Sequence, residues 1–235
     1  MLCGAVYSIQ SDVDEYFGLR EVNDLLAAEN VRLKNLLSRN ERLLEVFSDS
    51  VRAVAMAGEQ GKYYYREAHV INSSTNKSRN YLTLNKGSNA GITNNMVVID
   101  ERGVVGMVTA TSAHYSTVMP IINTTSHLSV KLRDSQFRGQ LIWNGMSARR
   151  ATMIDVPEHA VVEVGDSVVT SGSSSYFPEG LHVGVVEEVE MDRNGGFYNL
   201  TVSLAVDYSS IYRVQVVENL ELEEQQKLEK ENADD

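Results

Sequence analysis

A Gly-Asp-Ser triplet that ends at Ser167 is the stretch with the clearest potential for chemistry. Two-barrel serine proteases use a histidine, an aspartate and a late serine in that chain order, and His114, Asp134 or Asp155, and Ser167 follow it. The imidazole would act as general base and the carboxylate would orient it, while backbone N–H groups near Gly165 would stabilise the oxyanion. A serine hydrolase is therefore one hypothesis for this chain.

The residues around Ser167 argue against that hypothesis. Val168 and Val169 stand where a trypsin-like site continues with two glycines, and valine pairs are typical of a buried strand. The following serines, 173–175, lack both the Gly-x-Ser-x-Gly elbow and the lysine of a phosphate-binding loop. The five histidines show no metal-ligand spacing, and the single cysteine cannot form a zinc site alone. We interpret the chain as a non-enzyme without metal or cofactor, with the Ser167 hydrolase as the alternative.

Charge excludes a further class of function. The 235 residues carry a net charge of −11, which opposes nucleic-acid binding because phosphate contacts require clustered lysine and arginine. Residues 218–235 hold eight acidic and two basic residues, and we predict that they form a frayed, solvated tail. A short charged helix with only Leu220, Leu222 and Leu228 on its apolar face is the alternative. No run approaches about 18 apolar residues, the length that a membrane-spanning helix needs.

The N-terminal segment, residues 1–61, has the composition of a long helix. Between Asp12 and Met56 there is no proline and one glycine, and apolar residues recur every three or four positions. This repeat predicts a coiled coil, with an amphipathic helix packed on its own domain as the alternative. One asparagine in such a seam can fix its register. The predicted self-association seam is Leu19, Val22, Leu26, Leu33, Leu36, Asn40 and Leu43.

From residue 62 to residue 217 the pattern changes to short alternating runs at roughly ten-residue spacing, which favours a β-sandwich or β-barrels. Residues 96–108 and residues 167–186 form a weak internal repeat, here called the internal echo. Each has a Val-Val strand, a turn and a Val-Gly pair. The echo predicts two small β domains of similar plan, with Gly106 and Gly184 inside strands where the backbone is crowded. A chance likeness of two hairpins is the alternative.

Four segments form a recognisable series along the chain: "AENVRLKNLL", "YLTLNKGSNAGITNNMVVIDERGVVGMV", "HYSTVMPIIN" and, most specifically, "GDSVVTSGSSSYFPEGLHVGVV". Together they resemble the MreC family of bacterial rod shape-determining proteins. Several matched segments in the right order are more specific than any one of them. The positions that carry the family pattern, to which we assign structural roles, are Gly87, Gly91, Gly103, Gly106, Gly165, Asp166, Thr170, Ser171, Gly172, Phe177, Pro178, Gly180 and Gly184.

The resemblance implies a mainly β fold, in which a long N-terminal coiled-coil helix precedes two small six-stranded β-barrels. We place the first barrel at residues 62–140 and the second at 141–217, and the sequence leaves open whether the last strand, near 211–217, returns to the first barrel. A single-pass helix, expected upstream of this chain, would anchor the protein on the periplasmic side of the inner membrane.

The resemblance further implies a scaffold without catalytic activity that supports cell elongation and peptidoglycan synthesis. Its expected partners are a second copy of itself, as a homodimer or filament, the elongation-specific penicillin-binding transpeptidase, MreD, RodA and the MreB cytoskeleton. The surfaces that would bind these partners are not identified by any motif in the sequence.

Overall fold

A computed structural model of the chain describes residue 22 and residues 24–38, 62–135, 137–192 and 195–233. The chain divides into two compact units, Met1–Glu67 and Ala68–Asp235. In the first unit, residues 24–38 form a helix, α1. This helix is short, so the described residues do not show the long coiled-coil helix predicted from the sequence, and Leu19, Asn40 and Leu43 of the predicted seam lie outside them. None of the described helices combines the length and apolar content needed to cross a membrane.

The first of two closed barrels contains six strands in the order β1-β12-β3-β4-β5-β2. It buries alternate residues of its strands, as in β5, because successive side chains of a strand point to opposite faces. Its strands are β1 (Tyr63–Ser73), β2 (Leu82–Leu84), β3 (Val97–Ile99), β4 (Val104–Thr111), β5 (Ser116–Pro120) and β12 (Arg213–Asn219).

The second closed barrel has the order β10-β11-β8-β7-β6-β9. Its buried side chains and those of the first barrel form one continuous hydrophobic cluster. The prediction of a mainly β chain with two six-stranded barrels is therefore confirmed. Its strands are β6 (His127–Leu132), β7 (Arg138–Ile142), β8 (Arg150–Pro157), β9 (Ser167–Thr170), β10 (His182–Met191) and β11 (Phe197–Leu204).

The two barrels divide the chain differently from the predicted boundary at residue 140, which falls inside β7. Both β6 and β7 belong to the second barrel, and β12 lies between β1 and β3 in the first. The chain crosses between barrels after Pro120, where Asn123 Nδ2 donates to the Asn80 carbonyl at 2.9 Å. The alternation of apolar and polar residues identifies a strand, but it does not identify the distant strand with which it pairs. For this reason the boundary predicted from the sequence differs from the one in the structure.

The hairpins of the internal echo occupy matching positions in the two barrels. In β3–β4, Val98 pairs with Gly106, and in β9–β10, Val168 pairs with Gly184. A Cβ at Gly106 would lie 2.1 Å from the Met119 carbonyl oxygen, so the adjacent strand backbone occupies the space of a side chain. The repeated Val-Gly pattern therefore marks one strand pair in each barrel where two backbones approach closely.

The chain returns from the second barrel to the first through Tyr208. Its ring is 1% exposed, and its hydroxyl donates to the Val105 carbonyl at 2.8 Å. Burial raises the pKa of the Tyr208 phenol, so the hydroxyl stays protonated and keeps donating. The two barrels also approach each other at the β3–β4 turn, where a Cβ added to Gly103 would lie 2.2 Å from the His182 carbonyl oxygen of the second barrel. The barrels are thus packed backbone to backbone at this turn.

The acidic segment after the barrels is not the frayed tail predicted for residues 218–235, because Leu222–Ala233 forms a second helix, α2. Leu220 and Leu222 are half-buried, so they pack against the fold even though the segment is rich in charged residues. Acidic residues at the start of this helix and Lys230 in its last turn also suit the helix dipole. Burial of two leucines and favourable end charges explain why this segment is ordered.

Candidate functional site

The residues proposed for serine hydrolysis do not converge. His114 is exposed in the β4–β5 turn of the first barrel, whereas Ser167 begins β9 of the second. Asp155 is exposed within β8. Among the described residues, no hydrogen bond joins the Ser167 hydroxyl to a histidine, so the alternative hydrolase reading is not supported.

Ser167 does line a small cleft in the second barrel, together with Asp134 and Asp166. Phe137 forms one wall of that cleft, and the ring of His159 stands edge-on to it at 5.4 Å. The Asp166 carboxylate already bonds within its own turn, since its Oδ2 accepts the Glu163 N–H at 3.0 Å. The described His, Cys, Asp and Glu side chains include no group of three that could hold a metal ion.

The family-pattern segment, residues 170–181, is organised by one buried hydroxyl. Thr170 Oγ1 donates to the Pro178 carbonyl at 2.5 Å and accepts the Leu181 N–H at 2.9 Å. The Gly180 N–H donates to the Thr170 carbonyl at 3.0 Å, and Gly180 has φ = +82°, which favours glycine. Phe177 packs against the core. Thr170 therefore closes the loop at its base.

Further contacts fix both ends of this loop to β6 and β7. The Ser171 and Ser129 hydroxyls lie 2.8 Å apart, and Arg138 donates to Ser173 Oγ at 2.8 Å. Lys131 forms an ion pair with Glu179, and its hydrogen bond and charge lower the pKa of that carboxyl. Ser171 is buried, and Ser174 and Ser175 are half-buried.

Replacing Thr170 with valine is expected to lower the free energy of unfolding by about 1–3 kcal/mol, because the isosteric change leaves the Leu181 N–H without its acceptor. Chemical denaturation with a circular dichroism readout measures this change. Thr109→Val is the control, since the Thr109 hydroxyl makes an exposed, long bond of 3.3 Å to Thr117. Equal effects of the two substitutions would contradict the role assigned to Thr170.

The remaining family-pattern residues lie at turns. Gly87 precedes a short 3-10 helix, Ser88–Ala90, and Gly91 ends it with φ = +73°. Gly165 has φ = +105° before β9, and Gly172 has φ = +71° after it. These positions shape the loops that connect the barrel strands, and their roles as site residues are structural proposals.

Asp100 is a structural anchor that sequence reasoning did not single out. The Asp100 side chain is buried at the β3–β4 turn, where Oδ1 accepts the Arg102 and Gly103 N–H groups at 2.8 and 2.9 Å. The Arg102 guanidinium lies 3.0 Å from Oδ2. An aspartate two residues before Arg-Gly in a hairpin turn is the signal that could have predicted this anchor.

Helix α1 presents two unlike faces. The less exposed face contains the half-buried Ala27, Val31 and Asn35 and the buried Ser38. Asn35 Oδ1 accepts the Tyr65 N–H at 2.8 Å, and Ser38 Oγ accepts the Tyr63 N–H at 3.1 Å. In the predicted heptad these residues occupy b, c and f positions, and the polar Asn35 and Ser38 among them contact the start of β1.

The opposite face of α1 is apolar and exposed. The described members of the predicted seam, together with two flanking leucines, are all more than two-fifths accessible: Val22, Leu25, Leu26, Leu33, Leu36 and Leu37. The alternative reading, in which the apolar face packs on the helix's own domain, does not hold for these residues. A row of exposed leucines on a helix is a surface that normally contacts another chain.

The barrel region of the chain matches a known protein family. Residues 70–218, which include both barrels apart from the first part of β1, match the family described as "Rod shape-determining protein MreC, barrel core". The chain belongs to the MreC family. The resemblance identified in the sequence is therefore confirmed.

MreC proteins from several bacteria are similar along most of the chain. It is 28% identical over 202 residues to the cell shape-determining protein MreC of Haemophilus influenzae, covering 83% of this chain and 56% of that protein. It is 29% identical over 204 residues to the MreC protein of Cereibacter sphaeroides, covering 87% and 62% respectively. The chain thus spans little more than half the length of these relatives.

Solved MreC structures share this fold. The MreC structure from Listeria monocytogenes superimposes with a TM-score of 0.64 at 25% identity, covering 86% of this chain and 94% of the other. MreC in a complex with penicillin-binding protein PBP2 from Helicobacter pylori gives 0.53 at 16% identity, covering 68% and 99%. A major periplasmic domain described as coming from the cell shape-determining filament MreC gives 0.56 at 22%, covering 67% and 96%. At these lower identities the likeness concerns the fold alone.

Proposed function

We propose that this protein is a non-enzymatic scaffold for bacterial cell elongation, which self-associates through α1 and binds cell-wall synthesis proteins through its barrels. The observation that carries the proposal is the exposed leucine face of α1, opposite a polar face that packs on β1. Membership of a cell shape-determining family supports the biological setting. Two barrels with continuous cores supply rigid surfaces for partners.

Self-association through α1 would bury the leucine face along a coiled-coil seam. Full burial of a leucine side chain contributes about 1.5–3 kcal/mol. The seam would continue through Leu19, Asn40 and Leu43 in the flanking residues. A homodimer is the simplest assembly, and filament formation, which the name of a related periplasmic domain mentions, would need further contacts.

The partner that we propose for the barrels is an elongation-specific penicillin-binding transpeptidase. The complex of the Helicobacter pylori MreC protein with PBP2 supports a partner of this class for a chain with the same fold. Periplasmic location beside an inner membrane, with an anchoring segment upstream of this chain, belongs to the same proposal. MreD, RodA and MreB stay expectations from the family resemblance.

Binding of a purified transpeptidase extracytoplasmic domain to the immobilised chain tests this partner. We expect saturable binding that survives Leu26→Lys with Leu33→Lys, because the partner contacts the barrels and not α1. The matched control is an unrelated penicillin-binding protein of similar charge. Absence of binding, or equal binding of the control, would contradict a specific barrel surface.

The alternative hydrolase has a direct test at Ser167. A fluorophosphonate probe, which labels activated serines, is expected to leave the wild type unlabelled because no histidine is hydrogen-bonded to this hydroxyl in the part of the chain that the structure describes. Mass spectrometry of tryptic peptides measures labelling, and trypsin serves as the positive control. Stoichiometric modification at Ser167 that disappears in Ser167→Ala would refute the scaffold as the whole function.

A further inference from the structure

Helix α2 and the loop between β9 and β10 meet where the two barrels adjoin. The helix follows β12 of the first barrel, and the loop belongs to the second. Asn219 Nδ2 donates to the Ser175 carbonyl at 2.9 Å, and Gln226 Nε2 donates to the Tyr176 hydroxyl at 3.0 Å. All four residues are half-buried. These two hydrogen bonds therefore connect the C-terminal segment of one barrel to a loop of the other.

The middle of the loop is held differently from its ends. Its ends are fixed inside the second barrel through Thr170, Ser171 and the ion pair of Glu179 with Lys131. In the middle of the loop, Phe177 packs against the core, whereas the Ser175 carbonyl and the Tyr176 hydroxyl accept hydrogen bonds from Asn219 and α2. A loop fastened in this way can change in its middle while its ends stay in place.

Helix α2 has little stability of its own. It contains 12 residues, and isolated helices shorter than about 12–15 residues are marginal in water. Of its two leucines, Leu222 is half-buried, whereas Leu228 is 61% exposed. The helix therefore depends on tertiary contacts, which include the bond from Gln226 to the loop. It also lies beyond residues 70–218, the part that matches the family's barrel core.

We infer that α2 is a detachable clasp, which covers residues 174–177 of the β9–β10 loop and controls access to Tyr176. In the closed state the occupant of this surface is α2 itself, held by the bonds from Asn219 and Gln226. In the open state the half-buried ring of Tyr176 becomes accessible, while Phe177 stays packed against the core. The inference concerns regulation within this chain and does not depend on the proposed scaffold role.

Hydrogen exchange on the 235-residue chain tests the clasp. Gln226→Ala removes the donor to Tyr176 and is expected to speed exchange of the amides at 174–177 about two- to tenfold, the effect of losing one hydrogen bond from a local opening equilibrium. Lys227→Ala is the matched control, because Lys227 is the exposed next residue of the same helix. Equal rates in the two variants would overturn the inference.

Two further measurements separate a clasp from a general loss of stability. In a Tyr176→Phe background, Gln226→Ala is expected to have no added effect, since the acceptor is already absent. Nitration of Tyr176 by tetranitromethane is expected to accelerate in Gln226→Ala, while the exposed Tyr115 reacts at an unchanged rate as an internal reference. Additive effects on exchange, or equal acceleration at both tyrosines, would show that α2 does not cover the loop.

Discussion

Replacing Leu26 and Leu33 with lysine is expected to convert the associated protein into a 26.1 kDa monomer in sedimentation experiments. Both side chains are exposed on α1 and occupy successive a positions of the heptad. Loss of two buried leucines removes about 3–6 kcal/mol per chain, which corresponds to at least about a hundredfold in dissociation constant. Opposed lysines across a symmetric seam add repulsion to that loss.

The control for this prediction is Ala28→Lys, a substitution at an exposed c position of the same helix. It adds a positive charge without touching the seam, so we expect it to leave the sedimenting mass of the wild type unchanged. A wild type that sediments as a monomer at every concentration would contradict the coiled coil. So would a double lysine variant with the mass of the wild type.

Replacing Gly106 with alanine is expected to lower the free energy of unfolding by about 3 kcal/mol, a large part of the stability of a typical domain. The added Cβ would lie 2.1 Å from the Met119 carbonyl oxygen and 2.7 Å from the Pro120 Cα. Both are backbone atoms of β5, paired with β4 in a closed barrel, so they cannot move aside without breaking the ladder. Urea denaturation followed by circular dichroism measures the change.

Gly180→Ala is the matched control, because it adds the same methyl group where no atom lies within 4 Å. Its positive φ of +82° makes alanine strained, at a cost of about 1–2 kcal/mol. Gly106→Ala should therefore be the more destabilising of the two. The reverse order would show that backbone conformation, and not the crowding between β4 and β5, explains the glycines of the family pattern.

Local pattern predicted those features that depend on residues close together in the chain. The Val168–Val169 strand and the in-strand glycines Gly106 and Gly184 follow from side-chain period and from the crowding that glycine permits. These are short-range properties, which neighbouring residues fix by themselves.

Misplaced features involve contacts between residues far apart in the chain. The barrel boundary depended on which strands pair, and β12 joins β1 and β3 after more than a hundred intervening residues. Among the described residues, Asp100 bonds only within its own turn, but that turn is enclosed by the distant residue His182 of β10. The acidic segment contacts the rest of the fold at distant positions, as in the bond from Gln226 to Tyr176, 50 residues away in sequence.

By itself the sequence determined the β character of the chain, its family and the absence of a convincing nucleophile around Ser167. The Gly-Asp-Ser triplet belongs to a turn and strand, with Val168 and Val169 buried. Only the tertiary structure decided how strands divide between barrels, which face of α1 is exposed and which distant residues contact the β9–β10 loop. Alternation and residue type are encoded locally, whereas strand pairing and burial depend on which distant segments complement each other in space.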